Sequence, residues 1–317
     1  MTKPTLSVII PMRDNVPEVW IQELSKVEGN IEFILVYPPQ VPLLSNTDSR
    51  IRQIISPLRG EVIQRITALL NASGTYVLSL NCDEYLYPQI EQVTIQYFQR
   101  FPNSYFLKLR QKFYPYGEQE KLIEEWKSLS HIEEIKVKPW LDRELSDLET
   151  LHEIPICPLE NKFDPLCIFR GRKDHHGRHQ ENFDKKIWKN SLVQEQLQDI
   201  IKLLTIFGPF KYVPFWCADR LLGLSMQAKL YEKGIFKKDE IIGHFLPLPE
   251  QFRTESNPPQ FQYTTNRRYV LAEVFLVKLY PKYGYLWNLV LFNGKSLISV
   301  KQGQEKLLKL MPFFNKS

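Results

Sequence analysis

No stretch of this chain holds 18 consecutive apolar residues. The best candidate, Val274 to Phe292, is interrupted by Lys278, Pro281 and Lys282 and makes a poor membrane span. Cysteine is scarce: Cys82, Cys157, Cys167 and Cys217 are far apart and form no CxxC pair. That spacing fits a reducing compartment better than a disulfide framework. A strong excess of one charge is also missing. Forty-one basic against 36 acidic residues gives +5 over 317 residues, too mild to indicate nucleic acid. The opening MTKPTLSVIIPMRDN meets a proline after a short apolar run, without a signal peptide's long apolar region, so the cytoplasm is the expected compartment. There is no internal repeat.

What is present suffices for a large core. Hydrophobic residues make up 43% and charged residues 24%, which excludes a wholly disordered chain. The length suits two domains, or one large α/β domain with an elaboration. Aromatics at 13% suit a polar, aromatic-lined cleft.

The first 90 residues alternate strand and helix signals. Leu6–Ile10 is a β-branched run halted by Pro11, Ile31–Tyr37 is a second strand stopped by Pro38-Pro39, and Ile51–Ile55 is a third. Trp20, Leu24 and Val27 lie at helical spacing in 16–28. Glu61–Leu70 predicts a helix closed by Asn71-Ala72-Ser73-Gly74. Thr75–Leu80 then delivers Asn81-Cys82-Asp83-Glu84 at its carboxyl end. The pattern predicts a mostly parallel sheet flanked by helices, whose ligands collect beyond the carboxyl ends of the strands.

Further on, a helix is expected over 88–100, a strand over 105–112 and surface helices within 118–150. Helices are also expected over 193–207, 218–233, 267–280 and 296–311, with a Pro-rich linker from Pro247 to Pro259. This places a main domain at 1–245, divided near residue 110, and a C-terminal helical extension at 246–317.

Ser7-Val8-Ile9-Ile10-Pro11, followed by QRITALLNASGTYVLSLNCDE, resembles the family 2 nucleotide-sugar glycosyltransferases of the GT-A fold. Trp216-Cys217-Ala218-Asp219, leading into a helix that ends at Gly234, resembles that family's acidic motif. His244 falls where many members carry a metal-coordinating histidine. The resemblance implies a GT-A-like (Rossmann-like) fold with a mostly parallel sheet. It implies sugar transfer from a nucleotide-diphospho-sugar to a glycan, lipid-linked or small-molecule hydroxyl, with inversion and Asp219 as base. Asn81, Asp83 and His244 would hold Mn²⁺ or Mg²⁺, and Pro11, Arg13, Tyr37 and Arg65 would join Asn81 and Asp83 around the donor. On the acceptor side stand Trp216, His176 and His179.

The chemistry is sound apart from the family. A diphosphate leaving group gains negative charge as the glycosidic bond breaks, and a divalent cation on hard oxygen ligands neutralises it. A carboxylate on the far side of the anomeric carbon deprotonates the acceptor. Two departures stand out. Asn81 replaces the first acid of the family's DxD, and no acid follows Val36-Tyr37, so either base recognition falls to Asp14, Tyr37 or Asp48 or the nucleotide is not UDP. The alternative to a transferase is a catalytically degenerate GT-A-like protein that binds a nucleotide or glycan.

Each nominee has a plainer reading. Asp83 and Glu84 suit a turn, Asp219 an N-cap, His244 a core histidine and Arg65 a packing arginine. The run Asp174-His175-His176-Gly177-Arg178-His179 offers zinc ligands, but Gly177 interrupts helical spacing and no cysteine is near, which favours a polar loop. The basic, aromatic run VFLVKLYPKYGYLWNLVLF suits either a membrane surface or a cover for the sheet.

Overall fold

A computed structural model describes residues 3–45, 48–139, 150–156, 162–166, 169, 182–206, 215–234, 240–256 and 266–298. Twelve strands form among them: β1 (Leu6–Pro11), β2 (Ile31–Tyr37), β3 (Ile51–Ile55), β4 (Tyr76–Ser79), β5 (Glu84–Leu86), β6 (Phe106–Leu109), β7 (Gln111–Tyr114), β8 (Lys136–Pro139), β9 (Thr150–Pro155), β10 (Lys186–Lys189), β11 (Ile241–Leu246) and β12 (Phe252–Glu255). The helices are α1 (Glu18–Ser25), α2 (Glu61–Asn71), α3 (Ile90–Arg100), α4 (Asn190–Ile206), α5 (Phe215–Glu232), α6 (Asn266–Leu279) and α7 (Gly284–Ile298).

Nine strands make one sheet in the order β3-β2-β1-β4-β10-β6-β11-β9-β8. β3, β2, β1 and β4 are parallel, and β10 runs antiparallel between β4 and β6. The chain steps outward from β1 to β2 and β3, then returns to place β4 on β1's other side. That reversal of order opens a crevice at the carboxyl ends of β1 and β4.

Alternation along the strands sorts the core into two layers. Leu6, Val8 and Ile10 face Trp20 and Leu24 of α1 and Val93 and Tyr97 of α3, while Ile9 faces the layer of α2, α4 and α5. Leu276 of α6 and Leu286 and Leu289 of α7 join that second layer. β1 and β2 are buried along their whole length, as a parallel sheet covered on both faces requires.

Two expectations need correction. The run expected as one strand over 105–112 is split at Arg110, whose carbonyl accepts N–H groups of Gln251 at 3.0 Å and Phe252 at 3.1 Å. β6 stays in the large sheet, and β7 enters a three-stranded sheet of order β5-β12-β7. The Pro-rich segment is not wholly irregular, because it contains β12, which pairs with both β5 and β7 from beyond residue 245. α7 covers Gly284–Ile298, and the helix expected over 296–311 falls almost wholly outside the described residues. Residues 299–317 lie outside the described residues.

At the opposite, amino edge, Glu32 is 7% exposed on β2. It accepts from Ser7 Oγ at 2.6 Å, Ser73 N at 2.7 Å and Arg52 Nη1 at 3.2 Å. Burial pushes its pKa up, but these donors outweigh burial and hold it below the ordinary carboxylate range. The turn they fix brings Gly74 so close to β1 that an added Cβ would lie 2.6 Å from Ser7 Oγ and 2.7 Å from Ser7 N. Gly74→Ala should therefore destabilise the fold by roughly 1–3 kcal/mol, by overpacking against backbone. A thermal melt unchanged from wild type would show that the turn has room.

Candidate active site

The loop after β1 and the turn after β4 meet across the crevice. Arg13 Nη2 lies 3.3 Å from Asp83 Oδ2, with the two side chains 63% and 45% exposed. An exposed pair of this kind adds little stability. It does present one cation and one carboxylate to whatever occupies the crevice.

Beneath it the polar groups are buried and tied down. Gln64 on α2 donates through Nε2 to Met12 O and Val36 O, both at 2.7 Å, fixing the ends of β1 and β2. Arg65, 4% exposed, donates to Glu61 Oε1 at 2.9 Å, to Ser79 Oγ and to Asn81 Oδ1. Gln64 and Arg65 share the sheet-facing side of α2 with Val62, Ile66 and Leu69. Polar residues at apolar positions of an amphipathic helix were the sequence signal for this clamp.

Asn81 N donates to Glu84 Oε2 at 2.8 Å, and Gln111 Nε2 of β7 donates to Glu84 Oε1 at 2.8 Å. Burial pushes the Glu84 carboxyl upward, only partly offset by the Asn81 amide and by Lys185 and Arg65. The small sheet thus sets the turn that carries Asp83, whose carbonyl accepts from Thr254 Oγ1 at 3.3 Å.

A second wall stands beside β10, which starts level with the end of β4 because the two strands are antiparallel. Asp219 on α5 is 2% exposed, and its Oδ1 accepts the N–H groups of Phe183 and Asp184, each at 2.7 Å. Burial, reinforced by the charge of Asp184, pushes its pKa up to about 8. Two lysines face each other on adjacent strands here, Lys186 of β10 and Lys108 of β6. Lys186 is 1% exposed and donates to Asn182 O. Burial, with Lys186 next, lowers Lys108 to about 7. Asp184, Lys186 and Lys108 were missed in the sequence, where no motif joins them.

The other sequence nominees are placed as follows. Pro11 ends β1, buried. Tyr37 is 1% exposed, its hydroxyl 3.4 Å from Leu44 N, and is packed in the core beneath residues 38–44 rather than open to a base. Trp216 lies in the first turn of α5. His176 and His179 lie outside the described residues.

His244 does not join Asp83. It pairs with Leu107 on β6, which pairs with Ile187 on β10, which pairs with Leu78 on β4. Three strand spacings, about 14 Å, separate it from β4. Its ring packs 4.2 Å from that of Phe101, and Nδ1 lies 2.8 Å from Tyr97 Oη. Tyr97 donates its proton to Phe106 O at 2.9 Å, so Nδ1–H of His244 is the donor to Tyr97. The core reading of His244 replaces the metal reading.

The donor set can now be weighed for a divalent cation. No group of three or more His, Cys, Asp or Glu among the described residues is placed to enclose one. The Asn81 carbonyl oxygen is turned to Arg65. Asp83 remains, and one carboxylate suffices for a cation that arrives with substrate phosphates. The residues fit that arrangement and not a protein cage.

A cavity of about 350 Å³ lies behind β5, between Trp20, Tyr87 and Trp126, with Glu23, Glu28, Glu124 and Glu125 on its wall. Its charge has the wrong sign for a diphosphate, so the crevice at Arg13 and Asp83 is the better site.

No protein-family model matches the chain, and no curated protein matches it. Solved structures do resemble it, among them proteins bound to nucleotide sugars. S. aureus TarS (residues 1–349) in complex with UDP-GlcNAc shares 13% identity over 86% of this chain and 66% of that chain, with a TM-score of 0.49. Glucosyl-3-phosphoglycerate synthase from Mycobacterium tuberculosis with Mn²⁺ and UDP-glucose shares 12% over 89% and 79%, with a TM-score of 0.38. Mannosyltransferase PcManGT from Pyrobaculum calidifontis with GDP-Man and Mn²⁺ shares 11% over 99% and 82%, with a TM-score of 0.40. The chain spans 65% of the length of TarS 1–349 as solved with UDP. The fold is GT-A-like, a mixed and mostly parallel sheet flanked by helices, as its own strand order shows. At these identities and TM-scores the likeness says nothing of what this chain binds.

Two predictions come from these contacts. Arg65→Lys should cost roughly 1–3 kcal/mol, since an ammonium cannot reproduce the fork that serves Ser79 and Asn81; denaturant titration measures it. Burial, together with the charge of Arg100, lowers His244 to about 4. An unfolded histidine binds its proton near pH 6.5, so the stability His244 provides is present above that pH and is lost as the pH falls through about 4. Melting curves from pH 7 to 4 should show a smaller acid loss for His244→Gln than for wild type.

Proposed function

We propose that this chain transfers a sugar from a nucleotide-diphospho-sugar to a hydroxyl acceptor, with inversion. The observation that carries the proposal is the meeting of Arg13 and Asp83 across the crevice between β1 and β4. In open α/β sheets, ligands bind at such a reversal of strand order. Arg13 supplies a cation to the diphosphate there. Arg65 holds the Asn81 end of β4 from below and keeps its carbonyl oxygen from turning toward a metal. Asp83 would hold Mg²⁺ or Mn²⁺ together with the diphosphate. When bound, the cation acts as a Lewis acid on the leaving phosphate.

The wall at β10 supplies the acid–base group. Asp219 is its buried member and Asp184 its half-buried one, so a proton taken from an acceptor hydroxyl ends on this pair. We assign the base to Asp219. Burial and the charge of Asp184 hold this base above the ordinary carboxylate range, so transfer should rise with pH as the pair loses its proton and then level off. Asp219→Asn should lower turnover roughly 10²–10⁴-fold with donor binding kept. Loss in Asp184→Asn alone would move the assignment to Asp184, and full turnover in both variants would exclude the pair.

Calorimetric titration of UDP, GDP, CDP and dTDP, with and without Mn²⁺, tests the donor site first. One diphosphate should bind, more tightly with Mn²⁺. Asp83→Asn should remove the Mn²⁺ gain, and His244→Gln should leave it intact. A folded chain that binds none of the four would end the transferase reading.

A further inference from the structure

On α7, Trp287 is left 40% exposed. Residues 162–166 cross that helix: Asp164 N–H donates to Asn288 Oδ1 at 2.8 Å, and Asn288 Nδ2 to Lys162 O at 3.2 Å. This sets Phe163 edge-on to Trp287, with ring centroids 6.1 Å apart. The two rings, with Pro281, Lys282 and Gly284, line a cleft of about 300 Å³. Phe163 is 51% exposed and Trp287 40%; on the same short segment as Phe163, Leu166 is 43% and Phe169 83% exposed.

Single exposed apolar side chains need no explanation, but two aromatic rings lining one cleft, with an exposed leucine and phenylalanine further along the segment that crosses it, do. The Trp287 indole N–H is already bound to Pro281 O at 2.9 Å, so its ring face is what remains to be covered. The exposed Lys162 and Lys282 flank the cleft. Beyond α7 the sequence continues in the same composition: Lys301, Lys306, Lys309 and Lys316 against Glu305 alone, with Leu307, Leu308, Leu310, Met311, Phe313 and Phe314. Apolar and aromatic side chains rimmed by lysines match an anionic bilayer surface, whose acyl boundary takes the rings and whose headgroups take the cations. No helix among the described residues is long and apolar enough to cross a membrane, so contact would be at the surface.

We propose that the face formed by Trp287 of α7 with residues 162–166 and 169 docks on anionic phospholipid, with Phe163, Leu166, Phe169 and Trp287 entering the interface and Lys162 and Lys282 meeting the headgroups. This stands apart from the transfer reading and survives its failure. Insertion of a few partly exposed side chains gives marginal binding alone, so the cations set the lipid preference.

Flotation of the full chain with phosphatidylcholine vesicles, and with vesicles that also carry phosphatidylglycerol, is the test. The chain should float with the anionic vesicles and be released by salt. Lys162→Glu and Lys282→Glu, exposed changes that leave the packing alone, should each lower the partition coefficient about fivefold or more at low salt. Phe163→Ser and Trp287→Ser, checked for folding by circular dichroism, should lower it at every salt concentration. The proposal is overturned if anionic vesicles bind no better than neutral ones, or if Lys282→Glu and Phe163→Ser both float like wild type. It is equally overturned if sedimentation shows that Phe163→Ser abolishes a dimer, which would make the face a contact between copies of the chain.

Discussion

The guanidinium of Arg65, reaching from α2 to Ser79 and Asn81, is the contact on which the carboxyl end of β4 depends. A permanently charged group at 4% exposure is tolerable only with acceptors on every side, and the helix and the strand supply them. The exposed Glu61 balances the charge from its own helix. Because the fork is planar, it fixes both the height of α2 over the sheet and the direction of the Asn81 amide. Gln64, one residue earlier, does the same for β1 and β2 through neutral bonds. Two adjacent residues of one helix therefore align three strand ends.

The two edges of the sheet carry different charge arrangements. At the amino edge a single carboxylate, Glu32, gathers donors from β1, β3 and the turn before β4. At the carboxyl edge both signs meet: Arg13, Arg65, Lys108, Lys185 and Lys186 stand among Glu61, Asp83, Asp184, Asp219 and the buried Glu84. Burial presses on both signs there, raising Glu84 and Asp219 and lowering Lys108, so charge at this edge depends on what water or ligand reaches it.

The first 80 residues were legible because their signals are local. Ile31–Tyr37 is a continuous apolar run and α2 a clear helical stripe, and each element forms close to where its pattern lies. The small sheet was not legible. β5 has three residues and β12 four, and β12's partners are more than 130 residues away, so no window of sequence contains the pairing. His244 misled for a related reason: a histidine inside IIGHF looks exceptional until Tyr97 and Phe101, from a distant helix and its cap, are seen to enclose it. Asp83 and Asp219 were nominated through motif position, whereas Lys108 and Lys186 are neighbours only through strand register.

That long-range pairing also has a consequence for how the chain is made. β1 to β4 can assemble as soon as the first 80 residues exist, since their contacts lie close in sequence. The Asn81–Glu84 turn waits: β5 gains its partner only when residues 252–255 arrive, and β10 reaches β4 only after residue 186. A half-sheet of β1 to β4 alone would leave the outer side of β4 a bare edge until β10 pairs with it, the situation in which strands mispair. The crevice is therefore completed only when the small sheet closes, so its formation reports that β5 and β12 have found each other.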